Sequence, residues 1–209
     1  MNNADNRDIC MGDCPRAPYF YSVPGKCRSL QEVLKEPQTL RQSVLRMLSL
    51  LEELEQFHRI GNLHLDICPN NILLAGNGAT EALILTQCAI PGGCALCCRG
   101  GYAAPELVNG QTDAADFSTD LYSVTAVFFH CLMGRKLTLR EALLPKAPDG
   151  SDSPLLNDAP PAVRSIVRRI LRKGLNVLPD KRYRSIGVLR RAFRELLETL
   201  DSQIKKQIP

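Results

Sequence analysis

Apolar residues recur at steps of three and four along much of this chain, the spacing that places them on one face of an α-helix. Leu40, Val44, Leu48, Leu51 and Leu54 form the first such stripe. It opens on Thr39-Leu40-Arg41-Gln42, a capping box in which each side chain satisfies a free backbone amide, and Gly61-Asn62 closes it. Ser29-Leu30-Gln31-Glu32 is a second box and starts a shorter helix that ends before Pro37. From Leu121 to Met133 the apolar run is nearly continuous, so this helix is buried all round, with Ser118-Thr119-Asp120 as its cap. The run carries Ser123 and His130 and falls short of the ~20 residues a bilayer span requires, so no membrane span is expected. Thr138-Leu139-Arg140-Glu141 begins a brief helix. Two amphipathic helices finish the chain. The first sets Val163, Ile166, Val167, Ile170 and Leu171 against Arg164, Arg168 and Arg172, and the second turns Ile186, Leu189, Phe193, Leu196 and Leu200 inward.

Strand signals are few. Ile72–Ala75, the turn Gly76-Asn77-Gly78 and Leu83–Thr86 read as a short hairpin, and Tyr19–Val23 as one strand stopped by Pro24-Gly25. Residues 1–18 show no period and read as a tail, 149–161 as a Ser/Asp/Pro linker, and 201–209 as a C-terminal tail. With 209 residues, 44% of them hydrophobic, the chain can bury one good core, so one domain over 19–200 is expected, mostly α with short β-hairpins.

Composition adds three constraints. No basic and apolar leader opens the chain, and nine cysteines, an odd number, argue for reduced thiols, so a cytoplasmic protein is expected. Cys94, Cys97 and Cys98, with Cys88 nearby and Cys10 and Cys14 in the tail, could offer thiolates to zinc, but no second Cys-x-x-Cys or His pair follows at finger distance, so ordinary cysteines are expected. Charge is uneven: Arg164 to Arg194 holds eleven Lys or Arg against Asp180 alone, a local +10 that leaves the remainder at −6 for an overall +4. Such a segment is either a basic module for an acidic partner or nucleic acid, or helices exposing arginine on their outer faces. Only Tyr183 and Phe193 lie among the charges, fewer aromatics than a nucleic-acid groove favours. The acidic positions Glu52, Glu53 and Glu55 read as a solvated face.

The candidate chemistry lies in His64–Leu74, His-Leu-Asp-Ile-Cys-Pro-Asn-Asn-Ile-Leu-Leu. An Asp and an Asn five residues apart on a turn stiffened by Pro69 can put a carboxylate near a hydroxyl proton and an amide oxygen near a metal ion. This stretch resembles the His-Arg-Asp-x-x-x-x-Asn catalytic loop of the eukaryotic-type Ser/Thr protein kinases. Gly101-Tyr102-Ala103-Ala104-Pro105-Glu106 resembles the Ala-Pro-Glu end of their activation segment, and Asp120-Leu121-Tyr122-Ser123 the start of their central C-lobe helix. Arg182 in Pro-Asp-Lys-Arg-Tyr resembles the late Arg that pairs with the Ala-Pro-Glu carboxylate. The resemblance implies a kinase-like C-terminal lobe, with Asp66 as base, Asn71 as metal ligand, and ATP and magnesium as cofactors if the domain is active. It gives structural roles to His64, Asp120, Glu106 and Arg182.

The departures from that pattern point the other way. Fewer than thirty residues precede Ser29, so the N-terminal β-lobe, with its Gly-rich loop, strand Lys and helix Glu, is expected to be lacking. Gln87-Cys88-Ala89 stands where the family carries Asp-Phe-Gly, Cys68 where a Lys contacts the transferred phosphate, and Leu65 where an Arg receives an activation-loop phosphate. Ile90–Gly101 contains no Ser, Thr or Tyr. The pattern implies a pseudokinase-like domain acting as a protein-interaction or scaffold module. The alternatives are a Ser/Thr kinase of residual activity, completed by an N-lobe or kinase partner in trans, and a basic binding module.

Overall fold

The computed structural model describes residues 27–76, 82–86, 100–144 and 147–207. Helix α1 (Leu30–Val33) and helix α2 (Leu40–Arg59) start from capping boxes on Ser29 and Thr39. In α2 the buried stripe is Leu40, Val44, Met47, Leu50, Leu51 and Leu54, with Leu48 at its margin. Strand β1 (Cys27–Ser29), strand β2 (Ile72–Ala75) and strand β3 (Ala82–Leu85) make one antiparallel sheet in the order β1-β2-β3. Cys27 faces Ala75 and Ile72 faces Leu85. The strand expected at Tyr19–Val23 and the centre of the hairpin turn lie outside the described residues.

Helix α3 (Pro105–Val108) precedes α4 (Phe117–Met133), whose residues from Ser118 to Leu132 are all buried. An apolar helix of this kind requires cover on every side, and α2 and α6 supply much of it. The α4 start differs from the expected one. Asp116, not the 118–120 stretch, is the N-cap: its carboxylate accepts the Ser118 amide at 2.7 Å, and the Thr119 hydroxyl accepts the Asp116 amide at 3.0 Å. Either Asp116 or Ser118 could cap, and the earlier start leaves the Asp120 side chain free to leave the helix. Gly134 ends α4 at φ 66°, returning its amide to the His130 carbonyl.

Helix α5 (Leu139–Leu143) begins on the Thr138–Glu141 box. Residues 149–161 are not a loose linker. A 3-10 turn at Pro154–Leu156 anchors them, buried Ser153 donates to the Leu132 carbonyl at 2.6 Å, and Asp149 receives Arg172. Helix α6 (Pro161–Gly174) and helix α7 (Ile186–Gln207) pack on each other, α6 also on α4 and α7 on α2. Helix α7 continues through residues expected as a tail, and Asp201 pairs with Arg41 at 2.7 Å. The α2 carboxylates are not simply solvated either: Glu55 takes Arg190 at 2.9 Å, and burial raises the half-buried Glu53 carboxyl above its ordinary range.

Close approach of α6 to α4 falls on one glycine. A Cβ at Gly174 would sit 2.6 Å from the Thr125 Cγ2, whose side chain is pinned by a hydroxyl bond to the Leu121 carbonyl at 2.8 Å. Gly187, by contrast, has open space. Gly174→Ala is therefore expected to cost about 1–3 kcal/mol by overpacking, and Gly187→Ala to be neutral or stabilising by up to ~1 kcal/mol. Urea denaturation of both variants measures the difference.

Candidate functional site

The stretch from Asn62 to Asn71 leaves α2, passes through a 3-10 turn at Pro69–Asn71 and enters β2. Among the described residues Leu65 is the one non-glycine at positive φ, 60°, a conformation that costs about 1 kcal/mol or more and persists only where its surroundings impose it. Asp120 imposes it. Its two carboxylate oxygens accept the His64 amide at 2.9 Å and the Leu65 amide at 2.8 Å, and the His58 ring nitrogen Nε2 lies 2.9 Å from the same carboxylate. Asp120 is 0% exposed, so these charge-assisted bonds stand in for the water the carboxylate has lost. An ionised carboxylate only accepts, so Nε2 is the protonated nitrogen of His58. Phe117 tilts against the His58 ring at 4.4 Å and closes it in.

The His64 side chain points back into the domain. Its Nε2 donates to the Thr86 carbonyl at 3.2 Å, its Nδ1 accepts the Asp66 amide at 3.2 Å, and Phe57 meets it edge-on at 5.2 Å. Burial pushes its pKa down to about 4. Such an imidazole stays neutral near pH 7 and serves as a rigid spacer. Asp66 is partly exposed and Asn71 is buried. The Asn71 amide donates to both the Asp66 carbonyl and the Asp66 carboxylate, each at 2.8 Å, while the Asn71 carbonyl receives the Thr86 amide at 2.8 Å. The structure thus joins His64, Asp66, Asn71 and Asp120 in one hydrogen-bonded unit. Cys68 is 1% exposed and faces the core, and Leu65 is half-buried, so neither offers a cation to the Asp66 carboxylate.

A second cluster sits one residue away on α4. Arg182 donates through both terminal nitrogens to Glu106 at 2.7 and 2.8 Å, and to the carbonyls of Asn176 and Val177 at 2.7 and 2.9 Å. The Thr119 hydroxyl adds a bond to Glu106 at 2.8 Å, and the Tyr122 ring lies 4.9 Å from the guanidinium. Burial works to raise the Glu106 carboxyl, but the bonds and charge of Arg182, with Thr119, outweigh it and hold the carboxyl below its ordinary value. Two contacts have no sequence signal. His58 reaches Asp120, and the Tyr102 hydroxyl lies 2.6 Å from His130 Nδ1 in a buried pair that ties Gly101–Glu106 to α4. Gly101, at φ 97°, passes close to the Leu137 carbonyl, which a Cβ there would strike.

Gln87, Cys88 and Ala89, and the thiols of Cys94, Cys97 and Cys98, lie outside the described residues. Among the described ones, no three His, Cys, Asp or Glu side chains converge as a metal site. No helix there is long and apolar enough to cross a membrane.

No family model matches the chain. It is 31% identical over 139 residues, 59% of its length, to the probable serine/threonine-protein kinase PknB of Bifidobacterium longum. Over 195 residues, 83% of its length, it is 27% identical to a probable serine/threonine-protein kinase of Streptomyces coelicolor. The kinase domain of Mycobacterium tuberculosis PknI matches at a TM-score of 0.62 and 19% identity, covering 82% of this chain and 63% of that domain. The chain is protein-kinase-like. The chain spans 19% and 27% of the two curated relatives, and what it shares with PknI is the fold. Its described residues form the helical, C-lobe-like part of that kinase fold.

Two measurements probe the kinase-like clusters. Arg182→Ala leaves Glu106 buried without its cation, which should cost about 3 kcal/mol or more and lower the melting temperature far beyond the exposed control Arg194→Ala. A shift equal to the control's overturns the role of the pair. For His64, the unfolded chain binds a proton near pH 6.5 and the folded one near pH 4, so stability is full above 6.5 and falls as pH drops toward 4, with a slope up to ~1.4 kcal/mol per unit. His64→Gln should flatten that slope between pH 6.5 and 5, read from denaturation curves at each pH.

Proposed function

We propose that this protein-kinase-like domain does not transfer phosphate and acts as a protein-interaction or scaffold module. The observation that carries the reading is the composition of the loop, where an aliphatic Leu65 and a buried Cys68 stand at the positions that hold an Arg and a Lys in the catalytic loop it resembles. Phosphoryl transfer is catalysed almost wholly by positioning and by cations on the phosphate oxygens. Gln87, neutral where the resembled family carries the Asp of Asp-Phe-Gly, supports the same reading. So does the hydrogen-bonded hub of Asp120, which serves the fold whether or not nucleotide binds. The module comprises residues 19–200 and works in the cytoplasm, where nine cysteines stay reduced.

One observation favours a second reading. Asp66 and Asn71 remain bonded at 2.8 Å, the arrangement that residual Ser/Thr kinase activity would use, with Asp66 as base and Asn71 holding magnesium against ATP beneath an N-lobe from another chain. One carboxylate and one amide fit a hard divalent cation poorly, since such ions require several anionic oxygens. Thermal unfolding with saturating ATP and magnesium decides between the two. A ligand that binds only the folded state at 100 times its Kd adds about 2.7 kcal/mol. The interaction-module reading expects no shift, and a rise of several degrees that Asp66→Asn or Asn71→Ala removes would replace it with the second.

A further inference from the structure

Helix α6 exposes Arg164, Arg168, Arg169, Arg172 and Lys173, with Ser165 among them and no acidic residue anywhere on the helix. Arg164, Arg168 and Arg172 fall one turn apart and form a row about 12 Å long. Internal partners answer this face only in part. Arg172 and Arg168 share the carboxylate of Asp149 at 2.9 and 3.4 Å, and Arg169 pairs with Glu195. Among the described residues Arg164 hydrogen-bonds only the Asn157 carbonyl, at 2.6 Å. The neighbouring Asp152 and Asp158 make no ion pair with α6. At the Arg164 end lies a cleft of about 200 Å³ lined by Asp149, Ser151, Leu156, Arg164 and Arg168.

We propose that the exposed row of α6 is a docking surface for an acidic segment of a partner protein, with a partner carboxylate seated between Arg164 and Arg168. The inference rests on the interaction-module reading and names the face and the partner class for it. Asp149 already displays the geometry, since one carboxylate bridges the two arginines one turn further along the row. Guanidinium groups bind carboxylates through planar, charge-assisted bonds. The cleft is smaller than the ~300 Å³ of small-ligand pockets, and Leu156 gives it an apolar floor suited to the methylenes of a glutamate. Nucleic acid fits less well, because no aromatic side chain on α6 offers a base-stacking surface.

The test uses fluorescein-labelled octaglutamate and the whole chain, read by anisotropy at low salt and at about 300 mM NaCl, where exposed charges are screened. Wild type should bind at low salt and weaken at high salt. R164E should weaken binding about fivefold, and R164E/R168E/R172E by ~30-fold or more. The triple variant R184E/R191E/R194E, with the same change in net charge, should stay within ~2-fold of wild type. R164E keeps the test valid if the triple fails to fold, since Arg164 holds only a carbonyl. No binding by wild type, or equal losses in both triples, overturns the proposal. So does a single-stranded oligonucleotide that binds more tightly than the peptide and is released by R164E. An ATP-induced thermal shift would overturn the interaction-module reading instead, and leaves the peptide result unchanged.

Discussion

The carboxylate of Asp120 is the interaction on which the loop depends. It is wholly buried, and an isolated charge there would cost many kcal/mol. Two backbone amides and one imidazole satisfy it, and its place in the first turn of α4 adds the favourable end of the helix dipole. In return the carboxylate holds Leu65 in a left-handed conformation, which turns Asp66 toward Asn71 and His64 toward the core. Thr119, the preceding residue, fixes Glu106 and through it Arg182. Two adjacent polar residues in the first turn of α4, Thr119 and Asp120, therefore organise both clusters.

Charge in the C-terminal half follows a related rule. A local excess of ten cations in sequence becomes a set of specific tertiary pairs in the fold: Arg182 with Glu106, Arg190 with Glu55, Arg169 with Glu195, and Arg168 and Arg172 with Asp149. Only the first is buried on both sides, so that removing either partner is costly; the others are partly or largely exposed and contribute little each. Acids drawn from α2, α3, α7 and 147–150 explain why a linear count overstates the free positive charge. The excess that survives is concentrated on α6.

Local signals were legible wherever the chemistry is local. The boxes on Ser29, Thr39 and Thr138 mark helix starts because both partners lie within three residues, and the burial of α4 follows from its composition. Strand β1 was not legible: three residues, Cys27–Ser29, carry no alternation and are strand only because Ala75, Leu74 and Leu73 present a free edge to them. The α4 cap is ambiguous in the sequence because Asp116 and Ser118 are both competent, and the structure uses Asp116. The contacts of His58 with Asp120 and of Tyr102 with His130 carry no local signal, since each partner is supplied by tertiary packing.

The loop around Asp66 separates two demands that its residues normally meet together. Holding the backbone requires Asp120, His64 and Asn71, and every one of these makes buried or part-buried hydrogen bonds. Transferring phosphate requires cations next to Asp66, and the side chains at 65 and 68 are an aliphatic group and a buried thiol. The first set is costly to lose, because each deletion leaves buried donors or acceptors unpaired. The second is not: a surface-directed cation contributes little to folding, and a small thiol packs into the core at no polar cost. For the fold, loss of the hydrogen-bonded hub is thus the costlier change and an aliphatic or thiol side chain at 65 and 68 the cheaper one.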